Sequence, residues 1–229
     1  MRATAQDMLP HGPTTGFDFT LSGARLCALG AGALWWPAQR TLVVSDLHLG
    51  KSDRVSRRTG VFLPPYETRD TLDRLQALIN DLNPQSVICL GDTFDDDTAA
   101  RNLPQADRTK LQGMMQGRRW IWVEGNHDPS PPALAGEALA EFNTPPLTFR
   151  HVAAQGTTGE ISGHYHPKAS LRGQSRPAFL LDRNRLILPA FGTYTGGLRC
   201  TDPALTSVME HNALAILTGP VPLPRPVNG

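Results

Sequence analysis

The sequence predicts an α/β fold in which mixed β-sheets pack as a sandwich. Short apolar runs rich in β-branched, leucine and aromatic residues read as strands, and in the first half of the chain they alternate with helical patterns. The second half consists mostly of strand-like runs. This order is typical of a layered α/β domain. Several strands also end in Asp, Asn or His, which predicts a site at the carboxyl ends of the strands.

The composition is that of an ordinary globular protein. Of 229 residues, 40% are hydrophobic and 19% are charged, and the formal net charge is +1. The chain is long enough to bury a core and is not a uniformly basic nucleic-acid coat. Three cysteines without a C-x-x-C pair argue against a disulfide framework and a thiolate zinc site. Because no signal core or membrane-length apolar run is present, we expect a cytoplasmic protein without a membrane partner.

We expect a single domain over residues 1–229, with peripheral Pro- and Gly-rich tails at 1–16 and 219–229. The predicted strands are RLCALG, ALWWP, TLVVSD, SVICLGD, RRWIWVEGN, PLTFRH, EISGH, AFLLD, RLILP and ALAILTG. No heptad pattern or exposed apolar helix indicates an oligomeric state.

Three helices are predicted between these strands. The clearest follows PPYETRD, because Leu72, Leu75, Ile79 and Leu82 recur at helical spacing and Asn83 then precedes a proline that ends the helix. Two weaker helical patterns cover residues 105–115 and 133–141.

Metal-ligating residue types gather at the strand ends. They are Asp46, His48, Asp92, Asn126, His127, Asp128, His151, His164 and His166. A single strand-end histidine is more often structural than a ligand, but five of the seven histidines lie here beside acids. In EISGHYHPK, strand alternation would put both histidines on one face, which alone fits a metal site or a polar rim. The whole set favours a metal site.

These residues fall into five short motifs in a fixed order. The motifs are Asp46-Leu-His48, Gly91-Asp92-Thr-Phe-Asp95, Gly125-Asn126-His127-Asp128, a lone His151 and Gly163-His164-Tyr-His166. Together they resemble the motif series of the calcineurin-like metallophosphoesterases. The resemblance implies a four-layer αββα sandwich with two mixed β-sheets. It also implies dimetal-dependent hydrolysis of phosphate esters by a metal-bridging hydroxide.

The resemblance further implies which residues hold two divalent ions. Asp46, His48 and His166 would hold one ion, Asn126, His151 and His164 would hold the other, and Asp92 would bridge them. Nitrogen and oxygen ligands without thiolate suit Mn²⁺, Fe²⁺ or Zn²⁺, and the family favours Mn²⁺.

His127 would be the general acid that protonates the leaving oxygen. In related enzymes the second acid of G-D-x-x-D orients this histidine, which corresponds here to Asp95. Asp96 and Asp97 follow directly, so any of the three carboxylates could reach His127, although a solvated loop is the simpler interpretation of Asp97. Asp128 is interpreted as a loop or helix-start residue.

A closer resemblance concerns the substrate. The segments SDLHLGKSDR, LPPYETRDTLDRL and LPAFGTYTGGL resemble bacterial ligase-associated DNA-damage-response metallophosphoesterases. This implies a nuclease or phosphodiesterase acting on DNA, encoded beside an ATP-dependent DNA ligase and a helicase as partners. The alternatives are a phosphohydrolase for a small nucleotide-type or phosphoprotein substrate, and a non-catalytic scaffold with the same fold.

Substrate contacts are predicted at two places. Lys51, Arg54, Arg57 and Arg58 form a basic cluster in a predicted loop after the first motif, where they could neutralise phosphates beside the scissile bond. Tyr194 lies in a Gly-rich segment, residues 191–197, that could line the site. The alternatives are an ordinary charged loop and a simple hairpin turn.

Overall fold

Two mixed β-sheets form the centre of the fold, which a computed structural model describes over residues 15–128 and 134–227. The first sheet has seven strands in chain order: β1 (Gly16–Leu21), β2 (Ala24–Leu29), β3 (Leu34–Trp36), β4 (Thr41–Val44), β5 (Ser86–Leu90), β6 (Arg119–Val123) and β7 (Glu137–Leu139). Neighbours from β1 to β4 are antiparallel, whereas β4, β5, β6 and β7 are parallel.

The second sheet contains eight strands. They are β8 (Glu141–Thr144), β9 (Leu147–Arg150), β10 (Glu160–Ser162), β11 (Lys168–Leu171), β12 (Gln174–Leu181), β13 (Arg185–Ile187), β14 (Leu214–Leu217) and β15 (Leu223–Pro226). Their spatial order is β15-β14-β12-β13-β10-β9-β8, and β11 pairs with β12. Within this sheet β10 runs parallel to both β9 and β13.

Side-chain alternation along the central strands separates the two cores. Val43, Ile88 and Ile121 belong to the apolar cluster between the sheets, together with Phe149 and Phe179 from the second sheet. The residues adjacent to them in β4, β5 and β6 face the helices instead. Successive side chains of a strand point to opposite faces, so strands buried on both sides read as continuous apolar runs in the sequence.

In the described part of the chain, five α-helices accompany the sheets: α1 (Lys51–Thr59), α2 (Glu67–Leu82), α3 (Asp97–Arg101), α4 (Gln105–Met115) and α5 (Pro203–Thr206). Fully buried Leu72, Leu75 and Ile79 pack α2 onto the first sheet, and Leu111 does the same for α4. The outer face of the second sheet is covered by α5 through Leu205 and by the surrounding loops. Within the described ranges no helix has the length and apolarity needed to cross a membrane.

All ten predicted strands are confirmed, as are the helices over 67–82 and 105–115. The predicted helix over 133–141 is wrong from residue 137 onward, where β7 and β8 follow one another; residue 133 lies outside the described residues. Its Ala, Leu and Glu content favours a helix, but Gly136 weakens so short a helix. Pairing of β7 with β6 outweighs that local preference.

Two further segments have a secondary structure that differs from the sequence-based prediction. The basic segment after the first motif is the helix α1 and not a loop. Part of the expected C-terminal tail forms β15, which pairs with β14 at the edge of the second sheet. Both elements are largely exposed, so the apolar pattern that reveals buried elements is missing from them.

The parallel strands of both sheets end at one common edge of the sandwich. The loops that follow β4, β5, β9 and β13 are joined by backbone hydrogen bonds. Asp46 N donates to Gly91 O at 3.3 Å, and Phe191 N donates across the two sheets to Ser45 O at 2.8 Å. The motif residues therefore enter a single site from both sheets.

Candidate metal centre

The predicted ligands converge into two neighbouring clusters at this edge. The ligand atoms of Asp46, His48 and His166 lie within 4.8 Å of one another, and so do those of Asp92, His151 and His164. Asn126 joins the second cluster, because its Oδ1 lies 2.9 Å from His151 Nε2. All seven side chains predicted as ligands are thus brought together.

Asp92 lies between the two clusters. Its Oδ2 is 3.5 Å from His151 Nε2 in one cluster and 3.9 Å from His48 Nε2 in the other. The second carboxylate oxygen, Oδ1, accepts a hydrogen bond from the backbone N–H of His127 at 2.9 Å. One oxygen is therefore fixed by the backbone while the other faces both clusters.

The imidazole of His151 is fixed in one tautomer by a backbone carbonyl. Its Nδ1 lies 2.9 Å from Leu90 O, and because a carbonyl only accepts, Nδ1 must carry the proton. In the neutral imidazole the lone pair therefore lies on Nε2, which faces a space shared with Asn126 Oδ1 and with His164 Nδ1, 3.2 Å away, and a bound cation would take the place of a second proton there. Such a donor set is suited to a divalent cation, and a hydrogen bond that orients a ligating imidazole is typical of metal sites.

The first cluster contains a buried nitrogen that has no hydrogen-bond partner. His48 Nδ1 lies 2.8 Å from Asp95 Oδ1, which leaves His48 Nε2 buried and unpartnered within the described ranges. Asp46 Oδ2 accepts from His164 N at 3.0 Å, while its Oδ1 lies 3.1 Å from His166 Nε2. Buried polar atoms without partners are costly, so this arrangement fits a cation that would satisfy them.

The carboxylates of the site are held in their charged form. Burial opposes ionisation of Asp92, but His151 outweighs that effect and lowers the Asp92 pKa to about 2. Burial alone would likewise lower the pKa of His151, yet Asp92 and Asp46 raise it to about 9. The shifts indicate a negative potential that favours cations. Asp128 lies behind the clusters, where it accepts from Phe94 N at 3.0 Å, and burial raises its pKa to about 7.

Five of the clustered residues have left-handed backbone conformations. The φ angles are 52° at Asp46, 45° at His48, 45° at Asp92, 68° at His164 and 47° at His166. This region costs a non-glycine residue roughly 1–2 kcal/mol, and such strain concentrates at functional sites. It also corrects the expectation for EISGHYHPK. Both histidines follow the end of β10 in turns, and each reaches a different cluster.

Two motif glycines are required by close approach of the loops. A Cβ at Gly125 would lie 2.2 Å from the backbone N of Asp92, and one at Gly163 would lie 1.7 Å from Ser45 Oγ. Neither contact can be relieved without moving the strand-end loops. The glycines of G-N-H-D and G-H-x-H therefore allow the loops from the two sheets to meet.

His127 lies at the open side of the site, and its orienting partner differs from the expectation. Its Nδ1 contacts the backbone carbonyl of Asp95 at 3.0 Å, whereas Nε2 lies 4.0 Å from Asp92 Oδ2. The Asp95 carboxylate is instead engaged with His48, and Asp96 caps α3 by accepting from Ala99 N at 2.7 Å. The orientation of His127 thus comes from the backbone and not from an acidic side chain.

The predicted substrate contacts on α1 are mostly paired with acids. Lys51 Nζ and Arg54 Nη1 lie 3.4 Å and 3.0 Å from the Asp95 carboxylate. Arg57 contacts Asp53 on its own helix, and it also contacts Asp96. Arg58 is exposed and forms no ion pair within residues 15–128 and 134–227. Three of the four side chains therefore hold carboxylates beside the site and are not free to meet a substrate.

The Gly-rich segment 191–197, for which the sequence left both site lining and a hairpin turn open, borders the first cluster. Gly192 N donates to Asp46 O at 3.1 Å. The ring of Tyr194 packs against Tyr66, with 5.6 Å between the ring centroids. No sequence pattern pointed to Arg74 of α2, whose Nη2 donates to Phe191 O at 2.6 Å and holds this segment in place.

Two donor clusters of imidazole, carboxylate and amide groups at the common edge of two mixed β-sheets form a candidate two-metal centre. The calcineurin-like phosphoesterase family matches residues 39–198, and the chain belongs to this family. Members of the family bind divalent metal ions, in agreement with the two clusters.

The fold is similar to that of a solved nuclease. The crystal structure of the Pseudomonas putida nuclease MPE aligns with a TM-score of 0.74 at 30% sequence identity, covering 91% of this chain and 100% of that chain. No curated protein sequence matches the chain.

Proposed function

We propose that this protein hydrolyses phosphodiester bonds in DNA, using two divalent ions held at the strand-end site. The position of Asp92 Oδ2 carries the proposal, because it lies 3.5 Å from His151 Nε2 and 3.9 Å from His48 Nε2. A carboxylate oxygen between two donor clusters suits a pair of cations, and paired cations are typical of phosphoryl-transfer enzymes. Similarity to the Pseudomonas putida nuclease supports a nucleic acid as the substrate.

Each cluster holds one ion in this proposal. Asp46, His48 and His166 hold the first, Asn126, His151 and His164 hold the second, and Asp92 is shared. The unpartnered His48 Nε2 and the fixed His151 tautomer support this assignment. Donor chemistry favours Mn²⁺, Fe²⁺ or Zn²⁺, and we propose Mn²⁺.

When bound, the ions supply Lewis-acid activation of water and stabilise charge on the phosphate. His127 supplies the proton for the leaving oxygen. The Asp95 carbonyl fixes one ring proton on Nδ1, so a proton taken up for transfer to the leaving oxygen would sit on Nε2, which faces the site. Asp92 Oδ1 anchors the backbone N–H of His127 and thereby positions the ring. The carboxylate of Asp95 has a separate role, because it contacts His48 Nδ1 and orients that ligand of the first ion.

Hydrolysis of bis-p-nitrophenyl phosphate with Mn²⁺ tests the chemistry. His127→Ala is expected to lower kcat about 10²–10⁴-fold for a dinucleotide, whose alkoxide leaving group needs a proton, because a positioned general acid contributes that much. The loss should be far smaller for bis-p-nitrophenyl phosphate, whose p-nitrophenolate leaves as the anion, and bound metal should stay unchanged. Asp96→Asn is the matched control. Asparagine caps a helix as well as aspartate, so this variant keeps α3 and is expected to retain near-normal activity. Full activity of His127→Ala toward the dinucleotide, or no metal-dependent hydrolysis by the wild type, contradicts the mechanism.

The same assay with single-stranded, nicked and duplex DNA tests the substrate. We expect at least one DNA form to be cleaved faster than small nucleotide diesters at equal concentration. Hydrolysis of small diesters without cleavage of any DNA would refute the DNA substrate but not the phosphodiesterase. Resemblance of three segments to ligase-associated repair enzymes supports a role in cytoplasmic DNA repair beside an ATP-dependent DNA ligase and a helicase.

A further inference from the structure

A second basic feature lies beside the metal centre and is not used by the mechanism above. It is a cavity of about 620 Å³ between β11, β15 and the segment 199–201. Its polar lining consists of three cations and two hydroxyls: Lys168, Arg199, Arg225, Ser170 and Thr201. No carboxylate side chain lines it. We refer to this feature as the basic cavity.

The cations of the basic cavity are not neutralised by acids. The guanidinium groups of Arg199 and Arg225 form no ion pair or side-chain hydrogen bond with any other part of the chain that the structure describes, and both residues are exposed. Lys168 Nζ donates to the backbone carbonyl of Thr195 at 3.2 Å, so its charge also remains uncompensated. Three like charges around one cavity favour an anionic ligand.

Lys168 is the lining residue of the basic cavity that lies nearest to the metal centre along the chain. It follows His166 by two positions, a separation of at most about 7 Å along the chain. Its hydrogen bond to Thr195 ties it to the segment in which Gly192 N contacts Asp46 O. Lys168 therefore links the cavity lining to the segment that borders the clusters.

We infer that the basic cavity binds a nucleotide of the substrate strand outside the reacting phosphate. Arg199 and Arg225 contact its phosphate, since guanidinium groups match phosphate oxygens in bidentate geometry. The apolar part of the lining, which includes Ala215 and Val227, contacts the sugar or base. The inference rests on the proposed function, because the same strand has to reach the metal centre.

Binding of a fluorescein-labelled oligonucleotide, followed by anisotropy at several salt concentrations, tests the inference. All proteins carry His127→Ala, which keeps every candidate metal ligand and prevents cleavage. In this background the double variant Arg199→Gln/Arg225→Gln is compared with Arg172→Gln. Arg172 is exposed in the β11–β12 turn and does not line the cavity, so its replacement controls for loss of charge. Arg199→Lys/Arg225→Lys keeps both charges.

We expect the double glutamine variant to bind DNA about tenfold more weakly or worse at 0.1 M salt. The slope of log affinity against log salt should fall by about 1.4–1.8, since each lost phosphate contact removes about 0.7–0.9. The lysine variant should keep most of the slope, and Arg172→Gln should change affinity less than about twofold. Affinity and slope equal to those of Arg172→Gln would overturn the inference. The proposed function is tested by a separate measurement, the hydrolysis of phosphodiesters by the wild type.

Discussion

Two basic regions of the molecule, α1 and the basic cavity, differ in whether acidic side chains contact their cations. On α1, four cations lie within eight residues, but Lys51 and Arg54 contact Asp95, and Arg57 contacts Asp53 and Asp96. The cations of the basic cavity lie far apart in the sequence and face no acid among its lining residues. Local charge density in a sequence is therefore a poor guide to a surface that binds anions. Whether a cation is available to bind an anion depends on the ion pairs that it forms in the folded chain.

The pairing on α1 has a physical cause in the buried carboxylate of Asp95. A buried charge is costly unless it is compensated, and Arg54, Lys51 and His48 surround this one. Burial opposes ionisation of Asp95, but these neighbours outweigh it and lower its pKa. The α1 cations therefore act on the metal centre indirectly, through Asp95 and then His48. The cations of the basic cavity act on the substrate itself.

Among the variants that act on the metal centre through Asp95, Asp95→Asn is expected to weaken Mn²⁺ binding the most. The variant removes the charged partner of His48, and loss of such a partner typically weakens metal binding about 10–100-fold. A Mn²⁺ titration of bis-p-nitrophenyl phosphate hydrolysis should show half-maximal activity at correspondingly higher Mn²⁺. Asp97→Asn, at an exposed position in the first turn of α3, is the matched control. Identical titrations for Asp95→Asn and wild type would contradict the role of Asp95.

Arg54→Gln is expected to act in the same direction but more weakly. It removes one ion pair from Asp95 while Lys51 remains, so the Mn²⁺ requirement should rise about fivefold, which corresponds to an ion pair worth about 1 kcal/mol. DNA cleavage and small-diester hydrolysis should fall together. Arg58→Gln, which removes an unpaired charge from the same helix, should change neither by more than about twofold. If Arg54→Gln impaired only DNA cleavage, α1 would be a substrate surface like the basic cavity.

The parts of the molecule that the sequence predicted are those that depend on local pattern. Buried strands repeat apolar residues, and Asp46, Asp92 and His151 come within two residues of such strands, so the strands and a polar site at their ends were predictable from local pattern. The assignment of the ligands to two ions came from the family motifs. The contact between the Asp95 carbonyl and His127 was not, because sequence spacing cannot distinguish a backbone acceptor from a side-chain one.

The basic cavity was not predictable for a different reason. Arg199 and Arg225 become neighbours of Lys168 only through the pairing of β11 with segment 199–201 and of β14 with β15. Strand pairing across such distances is a tertiary property that leaves no local signal. The segment 137–141 was mispredicted for the opposite reason, because its local composition favours a helix whereas pairing at the sheet edges imposes strands.

The central claim is that Asp92 is shared between two ions, and metal stoichiometry tests it most directly. Mn²⁺ bound per chain would be measured by equilibrium dialysis and mass spectrometry for the wild type and for Asp92→Asn. The asparagine keeps an oxygen that can accept from the backbone N–H of His127, so the fold of the loop is preserved. The account predicts about two ions for the wild type and about one or fewer for the variant. Two tightly bound ions in Asp92→Asn, or a single ion in the wild type, would contradict it.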